Sequence, residues 1–402
     1  MSITRRSVLR RITVGAVTGG VVGTASSGVG RGWDSTAADE YVVGIRGLAG
    51  LEWAQQLSTQ VWGEFDFGAE IGQAVVGRFP AAALDVLQQS PLVRYVETNG
   101  TMHTLEQTVP WGVDRIGAMA AQAMNRTGQT ASGEPIHVAV IDSGIDSDHP
   151  DLSVNLGDGV SFVGCTDCGV GNVCRESWDD DVGHGTHVAG IIAALANGEG
   201  VVGVAPDVRV HAVKVTDCNG EGSVANAAAA IKYVADRGWH VANLSLGGSG
   251  SRLLADAVTY ATERGVVLVA AAGNDGPCSD CVNYPAAYLT VLGVSAVDDD
   301  GALATFSSAG YGVDLCAPGV GIWSAFTGGG YEWKEGTSMA SPHVAAAAAL
   351  LLADGETHET VRDSLTATAE DLGLAPAAQG AGLVRVDWAL GVEESADGVV
   401  AD

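Results

Sequence analysis

A chain of 402 residues, 47% of them hydrophobic, has material for one large core and a small additional domain. Its 20 basic and 48 acidic side chains leave a formal net charge of −28, which opposes binding to nucleic acid or to an anionic membrane. Aromatic residues make up only 6% while glycine and alanine abound, so close, light packing is expected.

The chain opens Thr4-Arg5-Arg6-Ser7-Val8-Leu9-Arg10, followed by a weakly apolar, glycine-rich stretch to about Val29. Paired arginines before such a stretch resemble a twin-arginine export signal, taken here as residues 1–37, and imply a secreted, extracellular protein. The stretch is too polar for a membrane span. Residues 38–105 read as a small α+β unit. Tyr41-Val42-Val43-Gly44-Ile45 is strand-like, 51–61 helix-like and 73–79 extended; a helix opens at Pro80 and ends near Ser90-Pro91, and 93–97 closes the unit as a strand.

From His137 onward apolar strands are expected near 137–141, 208–215, 240–246, 266–272, 291–297 and 313–316. Helices are expected near 184–196, 223–237, 251–264, 338–353 and 357–370. Unbroken apolar strands between helices specify an α/β architecture: a mostly parallel, doubly wound sheet with helices on both faces, preceded by the small α+β domain. This large domain is taken as 106–391, with a short acidic tail over 392–402. Ligands on such sheets bind beyond the carboxyl ends of the strands, and Asp142 directly follows one.

Three segments carry chemistry: V-I-D-S-G-I-D around Asp142, G-H-G-T-H-V-A-G around His184 and G-T-S-M-A-S-P-H around Ser338. A serine hydroxyl is a poor nucleophile at neutral pH. It needs an imidazole to take its proton and a carboxylate to hold that imidazole in the right tautomer. Ser338 is expected to open a helix, with Pro342 in its first turn or so, which aims free N–H groups at a reacting carbonyl and makes the Ser338 N–H an oxyanion donor. His187, one helical turn from His184, reads as a packed core residue rather than half of a metal pair. An esterase of the α/β-hydrolase kind requires G-x-S-x-G with the acid after the serine, and here the acid comes first.

Asp, His and Ser in this order, each within its own segment, resemble the subtilase family of serine proteases. The strong acidity, with lysine only at Lys214, Lys232 and Lys334, further resembles the secreted, halophilic, halolysin-type members. Asp179-Asp180-Asp181 and Asp298-Asp299-Asp300 read as solvated acidic runs of such a surface. The resemblance spans about 41–391. It implies a serine endopeptidase working through an acyl-enzyme on proteins and peptides, with broad specificity and an apolar primary pocket. It also implies a monomer made as a self-processed precursor, whose own propeptide, residues 38–105, inhibits it until cleavage after Leu105.

By the same resemblance Asn274, in Ala272-Gly273-Asn274-Asp275, supplies the second oxyanion donor. Gly220-Glu221-Gly222 and Ser245-Leu246-Gly247 form the substrate-binding edges, and Ala272 and Gly273 wall a roomy apolar primary pocket. A structural Ca2+ is implied at the side chains of Gln107, Asp151 and Asn197 and the carbonyls of Leu195, Glu199 and Val201. A second site at Asp314 with the carbonyls of Ala286 and Tyr288 is only suggested. Intact Asp142, His184, Ser338 and Asn274 argue against a binding protein on the same scaffold, which would not need all four.

Seven cysteines in an exported chain imply disulfides with one thiol left over. Cys278 pairs with Cys281 in this reading. Cys165, Cys168, Cys174 and Cys218 form two bridges in one of three pairings, and Cys316 remains a buried thiol.

Overall fold

The computed structural model describes residues 40–68, 71–99, 107–165 and 174–392. The export signal, the junction at Leu105, Cys168 and the tail beyond Val392 lie outside the described residues. The chain divides into two compact units, Met1–His103 and Thr104–Asp402. Among the described residues no helix is long and apolar enough to cross a membrane.

The first unit runs β1 (Glu40–Ile45), α1 (Leu48–Leu57), β2 (Gln60–Asp66), β3 (Gln73–Arg78), α2 (Ala81–Gln88) and β4 (Val93–Thr98). Its antiparallel sheet has the order β2-β3-β1-β4. Val43, Ile45, Ala54, Val75, Phe79 and Leu87 form the core between sheet and helices. The helix expected over 51–61 starts earlier and stops at Leu57. Ser58 is extended (φ −79°, ψ 148°), and its hydroxyl donates to the Gln55 carbonyl, 2.8 Å away. The chain then turns into edge strand β2, whose mostly exposed residues lack the apolar alternation that would mark a strand.

The second unit begins with two short helices, α3 (Trp111–Arg115) and α4 (Ala118–Ala123), which the sequence reading did not contain. There follow β5 (His137–Asp142), β6 (Val160–Ser161), α5 (His184–Ala193), β7 (Arg209–Lys214), α6 (Val224–Arg237), β8 (Val241–Leu244), α7 (Arg252–Thr262), β9 (Val267–Ala271), β10 (Val291–Val297) and β11 (Leu315–Pro318). The hairpin β12 (Ile322–Phe326) and β13 (Gly330–Lys334) comes next. It leads into α8 (Thr337–Ala353), α9 (Val361–Ala367), α10 (Pro376–Gln379) and α11 (Val386–Ala389).

Seven strands form one sheet in the order β11-β10-β9-β8-β5-β7-β6, and every pairing in it is parallel. Successive strand residues point to opposite faces, so each strand feeds two cores. In β5, Val138 and Val140 join the core that holds α5 and α8, while Ala139 and Ile141 join the core under α6 and α7. Helix α8 is apolar all round and almost wholly buried against β8, β9 and β10, and its run Ala345–Ala349 allows the close approach. From β5 the chain winds to β6 and β7 on one side, then returns to β8 on the other. The crevice at the carboxyl ends of β5 and β8 is thus where a ligand is expected.

The solvated reading of Asp179-Asp180-Asp181 is overturned, because all three are buried at 0–1% exposure. Asp181 pairs at 2.6 Å with Lys214, which is itself fully buried. A lysine inside an apolar strand requires such a partner, since an unpaired buried charge is prohibitively costly. Asp299 and Asp300, by contrast, are exposed.

The disulfide Cys165–Cys174 is formed, which selects one of the three pairings, and Cys218 is also disulfide-bonded. Cys278 is joined to Cys281, and Cys316 is a free, buried thiol whose pKa burial pushes up to about 12.

Candidate active site

Asp142 ends β5 and His184 begins α5, and the two side chains meet: His184 Nδ1 lies 2.7 Å from Asp142 Oδ1. Asp142 is buried, and its Oδ1 also accepts from the Ser143 N–H at 2.7 Å. A carboxylate on Nδ1 keeps the proton there, which leaves Nε2 as the free acceptor. Burial pushes the His184 pKa down, but the charge of Asp142, its hydrogen bond and the charge of Asp180 outweigh this and Lys334's opposing charge. The pKa is therefore held above the ordinary 6.5.

Ser338 is the second residue of α8, not its first, so Pro342 falls in the second turn. A proline there removes the N–H that would bond the carbonyl four residues back, which is that of Ser338. The Ser245 hydroxyl, just past β8, supplies the missing donor at 2.8 Å, and it also lies 3.0 Å from Ser341 Oγ. In return Ser338 Oγ donates to the Ser245 carbonyl at 3.2 Å. No hydrogen bond joins Ser338 Oγ to His184 in this arrangement. Bonds to a catalytic base are often long or unmade until substrate binds.

Asn274 Oδ1 accepts from the N–H and the hydroxyl of Thr337, at 2.9 and 3.0 Å. A backbone N–H can only donate, so this atom is the oxygen, and Nδ2 is left free to donate. Gly336 has φ +146°. A Cβ there would stand 3.5 Å from Asn274 Nδ2 and 3.6 Å from the Ser338 N, so both donors border one space that glycine keeps open.

Gly220 and Gly222 line an apolar cavity of about 150 Å³ together with Leu246, Gly247, Val224 and Tyr284. Glu221 does not line it; its N–H donates to Asp217 Oδ1 and its carbonyl accepts from the Asp217 N–H, which closes a tight turn. Ser245 and Ala272 are buried, and the Gly273 N–H donates to Thr337 Oγ1 at 3.1 Å. The expected roomy apolar pocket needs correction. Asn283, which the sequence reading missed, stands between Gly247 and Gly273 such that a Cβ on Gly273 would collide with its Nδ2. That amide donates to Asp275 Oδ2 at 2.6 Å, so a polar group occupies the space between the two glycines.

All six residues expected around a cation come together. Gln107 Nε2 lies 2.5, 3.1 and 3.0 Å from the carbonyl oxygens of Leu195, Glu199 and Val201. Asn197 Nδ2 donates to Asp151 Oδ1 at 3.3 Å, and Asp151 Oδ2 accepts from the Val201 N–H and the Tyr331 hydroxyl. An amide nitrogen with two hydrogens cannot satisfy three carbonyls. The surplus of converging oxygens fits a hard cation that the side-chain oxygens of Gln107, Asn197 and Asp151 could also reach. Among the described residues no group of three or more His, Cys, Asp or Glu side chains could hold a metal, and the oxygens gathered here are carbonyl and amide oxygens with the single Asp151 carboxylate. The suggested second site is not upheld: the Asp314 carboxylate pairs with Arg362 and accepts from the Gly293 N–H. His187 is buried, with Nε2 at 3.1 and 3.0 Å from the carbonyls of Ile322 and Glu332.

A parallel α/β sheet with an Asp–His pair and a helix-borne serine beside its switch point fits a serine hydrolase, and the comparisons make the protein a serine endopeptidase. Residues 133–382 match the subtilase family, and the chain belongs to that family. It is 45% identical over 309 residues to an alkaline protease of Alkalihalobacillus alcalophilus, covering 76% of each chain. It is 44% identical over 296 residues to subtilisin E of Bacillus subtilis, covering 72% of this chain and 74% of that one. Alkaline elastase YaB of a Bacillus strain is 39% identical over 343 residues, 85% of this chain and 82% of its own. These three come from bacilli, so the halolysin-type likeness rests on charge alone.

Proposed function

We propose that Asp142, His184 and Ser338 are the catalytic triad of a secreted, salt-adapted, calcium-stabilised endopeptidase, with Asn274 and the Ser338 N–H as its oxyanion donors. The observation that carries this is the 2.7 Å bond from His184 Nδ1 to Asp142, which leaves Nε2 to take the Ser338 proton. The hydroxyl oxygen then attacks the scissile carbonyl, whose oxygen becomes negative beside Asn274 Nδ2 and the Ser338 N–H. The imidazolium returns its proton to the leaving amine, and the acyl-enzyme is hydrolysed by water through the same base.

Substrate adds as an extended strand along Gly220–Gly222 and Ser245–Gly247. Apolar side chains of modest size suit the primary pocket, because Asn283 narrows it. A calcium ion held by Gln107, Asp151, Asn197 and the carbonyls of Leu195, Glu199 and Val201 fixes the start of the second unit to the 195–201 loop and takes no part in the chemistry. Residues 38–105 serve as the inhibitory propeptide, removed after Leu105, and residues 1–37 direct export by the twin-arginine route. The net charge of −28 supports salt adaptation, and the burial of Lys214 leaves the surface still poorer in lysine.

Casein hydrolysis in concentrated salt by wild type and Ser338→Ala tests the reading. Wild type should clear casein, lose that activity on desalting and show a new start at Glu106 by mass spectrometry; the variant should neither clear casein nor show that start. Equal clearing by both would overturn the assignment of Ser338, and full activity at low salt would overturn salt adaptation.

A further inference from the structure

Asp180 lies four residues before His184, is fully buried and accepts five hydrogen bonds. Its Oδ1 receives the Ser143 hydroxyl at 2.8 Å and the N–H groups of Val182 and Gly183 at 3.0 and 2.8 Å. Its Oδ2 receives the N–H and the hydroxyl of Thr186 at 2.8 and 2.6 Å. Both hydroxyls are locked as donors. Ser143 Oγ already accepts from the Gly185 N–H at 2.9 Å, and Thr186 Oγ1 from the Asp146 N–H at 3.0 Å. Every hydrogen bond the Asp180 side chain makes is therefore one it accepts.

These bonds reach both sides of His184 and the residue after Asp142. We infer that Asp180 is a positioning residue for the general base, a buried anion that ties the start of α5 to the end of β5 and so sets how the imidazole meets Asp142. This rests on the triad reading given above. A charge-assisted network of five bonds around a fully buried carboxylate holds a geometry more tightly than the single Asp142–His184 bond could. The charges around His184 are Asp142 from β5, Asp180 from the loop before α5 and Lys334 from β13, with His187 one turn along α5. Of these Asp180 is the second anion that favours its protonated form.

The test is the rate at which phenylmethylsulfonyl fluoride inactivates the full chain, followed against pH, in wild type, Asp180→Asn and Ser143→Ala. Wild type must be inactivated, and Ser338→Ala must not react; failure there would sink the triad reading instead. Given that, Asp180→Asn should lower the plateau rate about tenfold or more and move the acid limb to lower pH by about half a unit. Ser143→Ala, which cuts the ties to Asp180 and to the Gly185 N–H and keeps the charge, should lower the plateau about threefold or more without moving the limb. A folded Asp180→Asn variant with the wild-type profile would overturn the inference. Should that variant fail to fold, an unchanged plateau in Ser143→Ala would overturn it equally.

Discussion

The hydroxyl of Ser245 lies 2.8 Å from the carbonyl oxygen of Ser338, the acceptor that Pro342 has no N–H to satisfy. The loop after β8 therefore stitches the start of α8 in place just where the candidate nucleophile sits. Ser245→Ala leaves this part-buried carbonyl without its hydroxyl donor and should cost about 1 kcal/mol of stability. Adding Pro342→Ala restores a helical donor to the same carbonyl. Chemical denaturation of the two single variants and the double should then show the double less destabilised than the sum of the singles.

Asn274→Ala removes the side-chain donor that borders the Gly336 space. Turnover should fall by about 10²–10³-fold with KM little changed, the size seen when a subtilisin loses its own oxyanion asparagine. Steady-state kinetics on a peptide anilide would check this, and a change in KM alone would speak against the role.

Acid should weaken the fold. Burial, the leading cause, lowers the pKa of His187 to about 3 and those of His211 and His343 to about 4. The unfolded chain takes up these protons below about pH 6.5, while the folded chain does not until well below that. Stability is therefore fully present above 6.5 and lost as pH falls toward 4, at about 1.4 kcal/mol per pH unit for each such group. Melting temperatures at fixed salt should drop across that window, less steeply for His211→Gln. His184 has the opposite sign, since its raised pKa contributes stability that is lost as pH rises through that value. As a base it must be neutral, so activity should fall as pH drops through a midpoint above 6.5.

Chelation should lower the melting temperature, and calcium should restore it. Asp151→Ala removes the one carboxylate among the converging oxygens, so that variant should melt at the same temperature with and without the ion. An undiminished calcium response in Asp151→Ala would place the ion elsewhere.

Much of the fold was legible because α/β periodicity is strong. The strands at 137–142, 209–214, 267–271 and 291–297 and the helices at 224–237 and 252–262 fall within a few residues of the sequence expectation. Asp142, His184, Ser338 and Asn274 could be singled out because each sits in a distinctive local motif. Strand β2 was missed because an edge strand with exposed residues carries no apolar alternation. Asp180 was misread because composition reports charge and not burial. The signal was there in Lys214, a lone lysine inside an apolar strand, which demanded a buried acid nearby. Asn283 carried no pattern of its own; only the fold carries it between Gly247 and Gly273.

The central claim, that Asp142 and His184 make the Ser338 oxygen nucleophilic, is tested most directly by mapping a fluorophosphonate adduct by mass spectrometry. The adduct should fall on the peptide containing Ser338 in wild type and be lost in His184→Ala. Labelling at another residue, or equal labelling of Ser338 without His184, would contradict the account.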